Sequence, residues 1–332
     1  MLPQIHSYDS WTQLEEVWLG DVYPASFYEH LEPEVRDVFQ HITEITQQDL
    51  ASIQCTIESF GVKVRRPVYE SLDRYVHPDT GHLIKPQICP RDMHVTLGTT
   101  LYLAQQPINQ DPWRHALESY KQCPYSTIKN NANGWFNGAN SVRMGKNLLV
   151  DLVYAKNLPE YQLSLEEFSN YNVKLVDNGG HMDACFAILK PGLILANNYF
   201  QDYDETFPGW QRIHLNQSTY HADRKNPRPG PMHNGKFWQL DTPTNKAFNN
   251  HVIKHALDWV GTYTETYFEL NCLVINETNV IMQGYSQALE QELATHGIKV
   301  HWVPFRTRTF WDGGMHCLTL DIRRQGTFKD YF

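Results

Sequence analysis

Short strand-like runs alternate with helix-like runs along this 332-residue chain. Residues 33–60 are predicted to form a helix because their apolar residues recur at helical spacing, and Gly61 ends it before a strand-like run at 62–64. The same order returns near the C-terminus, where a predicted helix at 286–296 precedes an alternating run at 298–303. Such alternation of short strands with helices predicts an α/β fold.

The pattern continues without a break in composition, so a single domain over residues 1–332 is predicted. Further strands are predicted at 16–19, 94–97, 147–152, 174–176, 185–189, 193–196, 273–275, 280–282 and 318–322, and further helices at 113–122, 165–170 and 246–259. A polar, aromatic stretch at about 199–241 contains the run PRPGP and is predicted to be a long loop region. Such a loop is typical of a lid or a binding loop, and a disordered surface excursion is the alternative.

Charge and composition exclude several classes of protein. The net charge of −9 argues against a nucleic-acid or acidic-membrane partner and is compatible with a small cationic substrate. The chain has no apolar run of about 20 residues, and residues 1–10 lack a signal-peptide pattern, so a cytoplasmic protein without a membrane partner is predicted. The six cysteines are scattered and form no CxxC pair, which favours reduced thiols over disulfides or a zinc site. Nucleotide-binding glycine motifs are absent.

Three short segments carry the residue types of a nucleophilic enzyme. They are CPRD at 89–92, GGHMD at 179–183 and DGGMHC at 312–317, and each is predicted to lie at a loop-to-strand junction. Taken singly, each has a plainer interpretation: a satisfied His–Asp pair, a core cysteine, or a pair of glycines that serves a turn. Together they supply a nucleophile, an acid–base candidate and two carboxylates, which suits attack on a cationic carbon centre.

These segments resemble motifs of the amidinotransferases, a family that includes glycine amidinotransferase and the inosamine-phosphate amidinotransferases. The run SWTQLEEV at 10–17 resembles their opening strand, and residues 89–92 and 181–183 match their CPRD and HxD motifs. The ending at 313–326 matches their GGFHCxTxDxRRxG. The resemblance implies the fold of the guanidino-group-modifying superfamily, a five-bladed β/α propeller with pseudo-five-fold symmetry and a central active site.

The resemblance also implies a role for each matched residue. Cys317 would attack the guanidinium carbon of a donor, typically arginine, and form a covalent amidino-cysteine thiouronium. His181 would protonate the leaving amine and later deprotonate the acceptor. Asp92 and Asp183 would pair with the guanidinium nitrogens, because carboxylates suit a planar fork of N–H donors. The implied partners are a small guanidino donor and an amine acceptor; no cofactor or metal is implied, and a homodimer stays open.

Two further residues near these motifs are interpreted as structural. His316 precedes Cys317, and consecutive residues of a strand point to opposite faces, so His316 is not expected to contact the same substrate. Cys185 follows Asp183 by two residues and is expected to be a core residue.

The chain departs from the family where the family reads FDAAD. Here residues 136–140 read FNGAN, so Asn137 and Asn140 replace both carboxylates. Asn137 can accept a hydrogen bond from the imidazole of His181, but it cannot stabilise an imidazolium by charge, which predicts a lower histidine pKa.

The substrate-binding positions depart as well. Phe200 stands where glycine amidinotransferase has a carboxylate-binding arginine, and Thr264 and Glu265 align with its paired serines. Arg212 or Arg224, in the predicted loop region, could supply a substitute cation.

Three functions are therefore open: an amidinotransferase with an altered donor or acceptor; a hydrolase of the same superfamily, such as an arginine deiminase or dihydrolase; and a catalytically weak binding protein.

Overall fold

The structure is a computed structural model that describes residues 3–130, 136–151, 168–176, 181–197, 202–215, 238, 245–260 and 269–332. Its strands are Leu14–Leu19 (β1), Lys63–Arg65 (β2), Val95–Leu97 (β3), Thr100–Leu103 (β4), Thr127–Asn130 (β5), Ser141–Met144 (β6), Asn147–Asp151 (β7), Asn172–Val176 (β8), Phe186–Lys190 (β9), Leu193–Ala196 (β10), Gln211–His214 (β11), Leu273–Asn276 (β12), Asn279–Met282 (β13), Lys299–Trp302 (β14) and Thr319–Arg324 (β15). Its α-helices are Pro33–Glu58 (α1), Pro107–Gln110 (α2), Arg114–Lys121 (α3), Tyr203–Thr206 (α4), Lys246–His255 (α5), Gln287–Thr295 (α6) and Arg308–Trp311 (α7). The predicted α/β class is confirmed.

The described strands form five three-stranded sheets with one shared pattern. The sheet orders are β15-β1-β2, β3-β4-β5, β6-β7-β8, β9-β10-β11 and β12-β13-β14. In each sheet the middle strand pairs antiparallel with the first strand and parallel with the third. A parallel pair needs a crossover connection, and helices α1, α2 with α3, α4 and α6 supply it in four of the sheets.

The long helix α1 shows how the sequence specifies these crossovers. Pro33 begins it at a position where no backbone N–H is required, and Glu34 in the first turn favours the helix dipole. Its apolar face, which includes Phe39 and Ile53, is buried in the core. Gly61 has φ 74° and ends the turn after the helix, as the sequence predicted.

The C-terminal strand β15 joins the N-terminal sheet and carries a buried carboxylate, Asp321. Asp321 accepts hydrogen bonds from Arg91 at 2.8 Å, Arg143 at 2.7 Å and Arg324 at 2.9 Å. Burial alone would raise the pKa of Asp321, but the three guanidinium groups outweigh it and hold that pKa well below its usual range. Arg91 also donates to the backbone oxygens of His316 and Thr319, at 2.7 and 2.8 Å. This cluster fixes the chain on both sides of residue 317.

Part of the predicted loop region at 199–241 is regular structure. Helix α4 and strand β11 lie within it, and β11 pairs in parallel with β10. A strand of four residues with one buried side chain, Ile213, carries too short an alternation to be distinguished from a loop in the sequence. In the predicted helix at 165–170, residues 165–167 lie outside the described residues, and 168–170 form a turn. Within the described ranges, no helix is long and apolar enough to cross a membrane.

Candidate active site

The three motif segments converge on one buried sulfur atom. CPRD forms a short 3-10 helix, Pro90–Asp92, and the HxD segment leads into a second, Met182–Ala184. Cys317 lies in the turn before β15, and its Sγ is 3.2 Å from Oδ2 of Asp183, which lies 134 residues earlier in the sequence. The structure therefore brings the predicted nucleophile and a predicted substrate-binding carboxylate into direct contact.

Asp183 and Asp92 each have one buried oxygen atom that makes no hydrogen bond to any of the described residues. Oδ2 of Asp183 accepts from Cys317 and from Nδ1 of His316 at 2.8 Å, whereas its Oδ1 is buried and has no hydrogen-bond partner. Oδ1 of Asp92 is likewise buried and unpartnered. An unpaired buried carboxylate oxygen costs free energy, so a donor from a ligand is the expected complement.

The two carboxylates differ in pKa. Burial raises the pKa of Asp92 to about 6, with a further increase from Asp183 that His181 and Lys85 oppose. Burial also acts against ionisation of Asp183, but the hydrogen bond and charge of His316, the charge of His181 and the hydrogen bond from Cys317 together outweigh it and lower the pKa of Asp183. Near neutral pH both carboxylates are ionised, and the site is complementary to a cation.

The thiol of Cys317 is held in its neutral form. Burial raises its pKa well above the usual range, and the negative charges of Asp183 and Asp92 raise it further. Asn271 opposes this trend, because its Nδ2 donates to Sγ at 2.9 Å. The reactive thiolate therefore requires a positive charge beside these carboxylates.

The two glycines before Cys317 allow close packing rather than only a turn. A Cβ atom on Gly313 would lie 2.9 Å from Sγ of Cys89 and 3.1 Å from Cβ of Cys317. A Cβ atom on Gly314 would lie 2.5 Å from Nε2 of Gln283 and 2.7 Å from Cβ of Asn271. Any side chain at either position would displace the groups that surround the nucleophile.

The strand alternation expected at His316 and Cys317 was wrong. Strand β15 begins at Thr319, so the alternation of a strand does not apply at residues 316 and 317. In the turn both side chains contact the same Asp183 oxygen. An ionised carboxylate only accepts, so Nδ1 of His316 is the donor.

Among the described residues, Asn137 does not make the hydrogen bond to His181 that the sequence suggested. Its Oδ1 accepts from the backbone N–H groups of Ala139 at 3.0 Å and Asn140 at 2.9 Å. Both lone pairs of that oxygen are thus used in a local turn, a role that short polar side chains often take. Asn140 is buried.

His181, Lys85 and Asp312 complete the charged surroundings. His181 is half-buried and lies within electrostatic range of Asp92 and Asp183. Lys85 donates to the backbone oxygen of Trp311 at 3.4 Å and acts on Asp92 and Asp312. Asp312 has φ 55°, an uncommon conformation for a residue with a side chain.

Sequence reasoning missed Asn271, Lys85 and Asp312 as site residues. The signals for them were weak: Asp312 adjoins the glycine pair, whereas Asn271 and Lys85 lie in no recognised motif.

The structure describes only some of the other residues that the sequence analysis singled out. Phe200 and Glu265, like Thr264 and Arg224, lie outside the described residues. Arg212 lies on β11, with its guanidinium 4.9 Å from the ring centroid of Tyr203. Cys185 is 3% exposed and packs in the core, which confirms its interpretation as a core residue.

Comparison of the sequence with known proteins finds amidinotransferases. The chain is 25% identical over 243 residues to the mitochondrial glycine amidinotransferase of Danio rerio, covering 71% of this chain and 49% of that protein. It is 20% identical over 389 residues to the L-arginine:L-lysine amidinotransferase of Pseudomonas savastanoi pv. phaseolicola, covering 98% of this chain and 96% of that protein. Several matched glycine amidinotransferases are about twice as long as the part this chain spans. No family model matches the chain.

Solved structures share the fold over the whole chain. An amidinotransferase of saxitoxin biosynthesis from Microseira wollei has a TM-score of 0.68 at 20% identity, covering 99% of both chains. The inosamine-phosphate amidinotransferase of Streptomyces griseus has a TM-score of 0.66 at 18% identity, covering 98% of this chain and 99% of that one. A hydrolase, the agmatine deiminase of C. jejuni, has a TM-score of 0.58 at 13% identity, covering 98% and 97%. The predicted resemblance to amidinotransferases, which are transferases, is confirmed by the matches.

Proposed function

We propose that this protein is an amidinotransferase that moves an amidino group from a guanidino donor, L-arginine, to an amine acceptor. The observation that carries this proposal is a pair of buried carboxylate oxygens that have no hydrogen-bond partner among the described residues. One belongs to Asp183, whose other oxygen contacts the sulfur of Cys317, and one belongs to Asp92, whose charge acts on the same thiol. A guanidinium group presents a planar fork of N–H donors, which matches two carboxylate acceptors. Bound between them, its carbon would lie close to the sulfur.

The donor itself would activate the nucleophile. In the free protein, burial and two carboxylates keep the Cys317 thiol protonated. A bound guanidinium neutralises the charges of Asp92 and Asp183, so the thiol pKa falls when the donor arrives. The thiolate would then form only when a substrate that it can attack is bound, which limits side reactions of the sulfur.

The reaction would proceed through a covalent amidino-cysteine. The sulfur of Cys317 bonds to the guanidinium carbon as the bond from that carbon to the leaving amine breaks, and the thiol proton departs on that amine by way of His181. The acceptor amine then attacks the amidino carbon, gives its proton to His181, and releases the sulfur. If water takes the place of the acceptor, the same residues perform the hydrolase reaction.

The arrangement of the five sheets relative to one another is also part of the proposal. We infer that the five sheets are the blades of a closed propeller with pseudo-five-fold symmetry, because each repeats one strand pattern and the first contains both β1 and β15. A central site at the meeting of several blades agrees with the contacts of residue 317 with residues 183 and 271. A cytoplasmic location and a homodimer stay predictions.

Intact mass spectrometry tests the proposed function. Wild-type protein incubated with arginine should gain one amidino group, and peptide mapping should place it on Cys317. Cys317→Ser should gain none, since an alcohol is a much weaker nucleophile at neutral pH. Ornithine released together with a new guanidino compound identifies a transferase, whereas citrulline or urea identifies the hydrolase. Modification of a different cysteine, or turnover by the serine variant, contradicts the assignment of Cys317.

A further inference from the structure

The side chain of Asn271 makes three hydrogen bonds to the turn that contains residues 316 and 317. Its Oδ1 accepts from the backbone N–H groups of His316 at 2.8 Å and Cys317 at 3.0 Å, and its Nδ2 donates to Sγ of Cys317 at 2.9 Å. The residue lies just before strand β12, 46 positions from Cys317, and is 9% exposed. No recognised motif of the sequence contains it.

These contacts determine which end of the amide faces the sulfur. The two backbone N–H groups are donors, so the side-chain atom between them must be the oxygen. The nitrogen therefore faces Sγ, and a rotated amide would place an N–H group against two others. Gly314 supports this orientation, because it lets the chain pack against Asn271 on one side and Gln283 on the other.

The hydrogen bonds of the sulfur depend on its protonation state. As a thiol it donates to Oδ2 of Asp183 at 3.2 Å and accepts from Asn271. When the proton leaves, the bond to Asp183 is lost, and the N–H group of Asn271 is the remaining hydrogen-bond donor to the charged sulfur among the described residues. Hydrogen bonds to an ionised acceptor are roughly twice as strong as neutral ones, so this contact strengthens as the thiolate forms.

We propose that Asn271 is a positioning residue that holds the Cys317 sulfur in place and stabilises its thiolate through the Nδ2–H···Sγ hydrogen bond. The inference rests on the proposed function only in taking Cys317 as the nucleophile. In a purely structural alternative, Asn271 only holds the turn at residues 316 and 317 in place, through the two hydrogen bonds that its Oδ1 accepts. The two roles use different atoms of one side chain, so they can be separated by substitution.

Asn271→Asp keeps an oxygen for the two backbone N–H groups and replaces the donor to the sulfur by a carboxylate oxygen, whose negative charge also disfavours the thiolate. Comparison with Asn271→Ala, which adds no charge, separates the lost donor from the added charge. Asn271→Ala removes both contacts. Asn276→Asp is the matched control: Asn276, at the other end of β12, also accepts from a backbone N–H, that of Thr278 at 3.1 Å, and does not contact Cys317. All variants would be made in a Cys55→Ser background, since Cys55 is the exposed cysteine of the chain.

The measurement is the rate of Cys317 alkylation by iodoacetamide as a function of pH, followed by peptide mass mapping. This neutral probe reports the thiolate without needing any substrate to turn over. Loss of a hydrogen bond to a charged group should slow alkylation of Asn271→Asp about 10- to 100-fold near neutral pH and move the midpoint of the profile upward. Asn271→Ala should move the midpoint in the same direction, and Asn276→Asp should match the background protein.

Thermal unfolding of each variant establishes that the fold is retained. Equal alkylation midpoints in the folded Asn271→Asp and background proteins would overturn the proposal and leave Asn271 with only the role of holding the turn in place. Failure of the proposed function gives a different result: no amidino adduct forms on arginine, while the alkylation midpoints still differ. In that case the role of Asn271 toward the sulfur stands.

Discussion

The sulfur of Cys317 and the imidazole of His316 share one acceptor, the Oδ2 atom of Asp183, at 3.2 and 2.8 Å. The carboxylate that would hold the substrate therefore also orients the sulfur of Cys317, and His316 in turn orients the carboxylate. Loss of any one of these groups changes the surroundings of the other two.

Donor binding should depend on the ionisation of Asp92. Burial raises the pKa of this carboxyl to about 6, so its charge is present above that pH and is lost as the pH falls through it. The KM for arginine should accordingly rise below about pH 6, and Asp92→Asn should weaken the donor about 100-fold or more at neutral pH, since a buried charge pair loses one partner.

Isothermal titration of arginine into the Cys317→Ser protein measures this affinity without turnover. Asp330→Asn, which changes an exposed carboxylate, is the control. An affinity within a few-fold of the parent protein in Asp92→Asn would exclude the guanidinium contact.

Substitution of His316 should change the pH dependence of donor binding and leave the fold intact. His316→Ala removes the hydrogen bond that lowers the pKa of Asp183, so that pKa should rise and donor binding should be lost at higher pH than in the wild type. His316→Gln can keep an N–H donor, so the pH dependence of its donor binding should lie between those of the alanine variant and the wild type. The KM of arginine across pH 5–8 measures this effect; identical profiles for the alanine variant and the wild type would show that the contact has no influence on Asp183.

Gly313→Ala should impair Cys317 without unfolding the protein. The added methyl group would lie 2.9 Å from Sγ of Cys89, closer than real Cβ contacts, and 3.1 Å from Cβ of Cys317. We expect a fall in kcat of about 100-fold, since misplacement of a reacting group by about 1 Å has that effect. The double variant Gly313→Ala with Cys89→Ala removes the clashing sulfur and should recover activity. A single variant as active as the wild type would contradict the packing argument.

Asn137→Asp tests whether Asn137 acts on the turn or on His181. Its Oδ1 already accepts from Ala139 and Asn140, and an aspartate oxygen can accept the same two bonds. We therefore expect the acid limb of the pH–rate profile to stay in place and the melting temperature to change little. An upward shift of that limb would show instead that the second oxygen of the new carboxylate reaches the imidazole and raises its pKa.

The motif residues could be named from the sequence because each motif is local. CPRD, HxD and the final glycine-rich segment are contiguous, so the sequence could single out Asp92, Asp183, His181 and Cys317 as candidate site residues. Hydrophobic periodicity predicted helix α1 and the α/β class. The same reasoning failed at His316, where a strand was extended into a turn that ends two residues later, before Thr319.

Only the tertiary structure decided how these residues act on one another. The contacts of Cys317 with Asp183 and Asn271 join positions 134 and 46 residues apart, and no periodicity encodes such pairs. The pKa values of Asp92 and Cys317 depend on burial and on neighbouring charges, both of which arise when separate segments pack together. The sequence by itself determined which chemical groups are present, whereas the packing of the five sheets determined their protonation, their orientation and the place left for a cation.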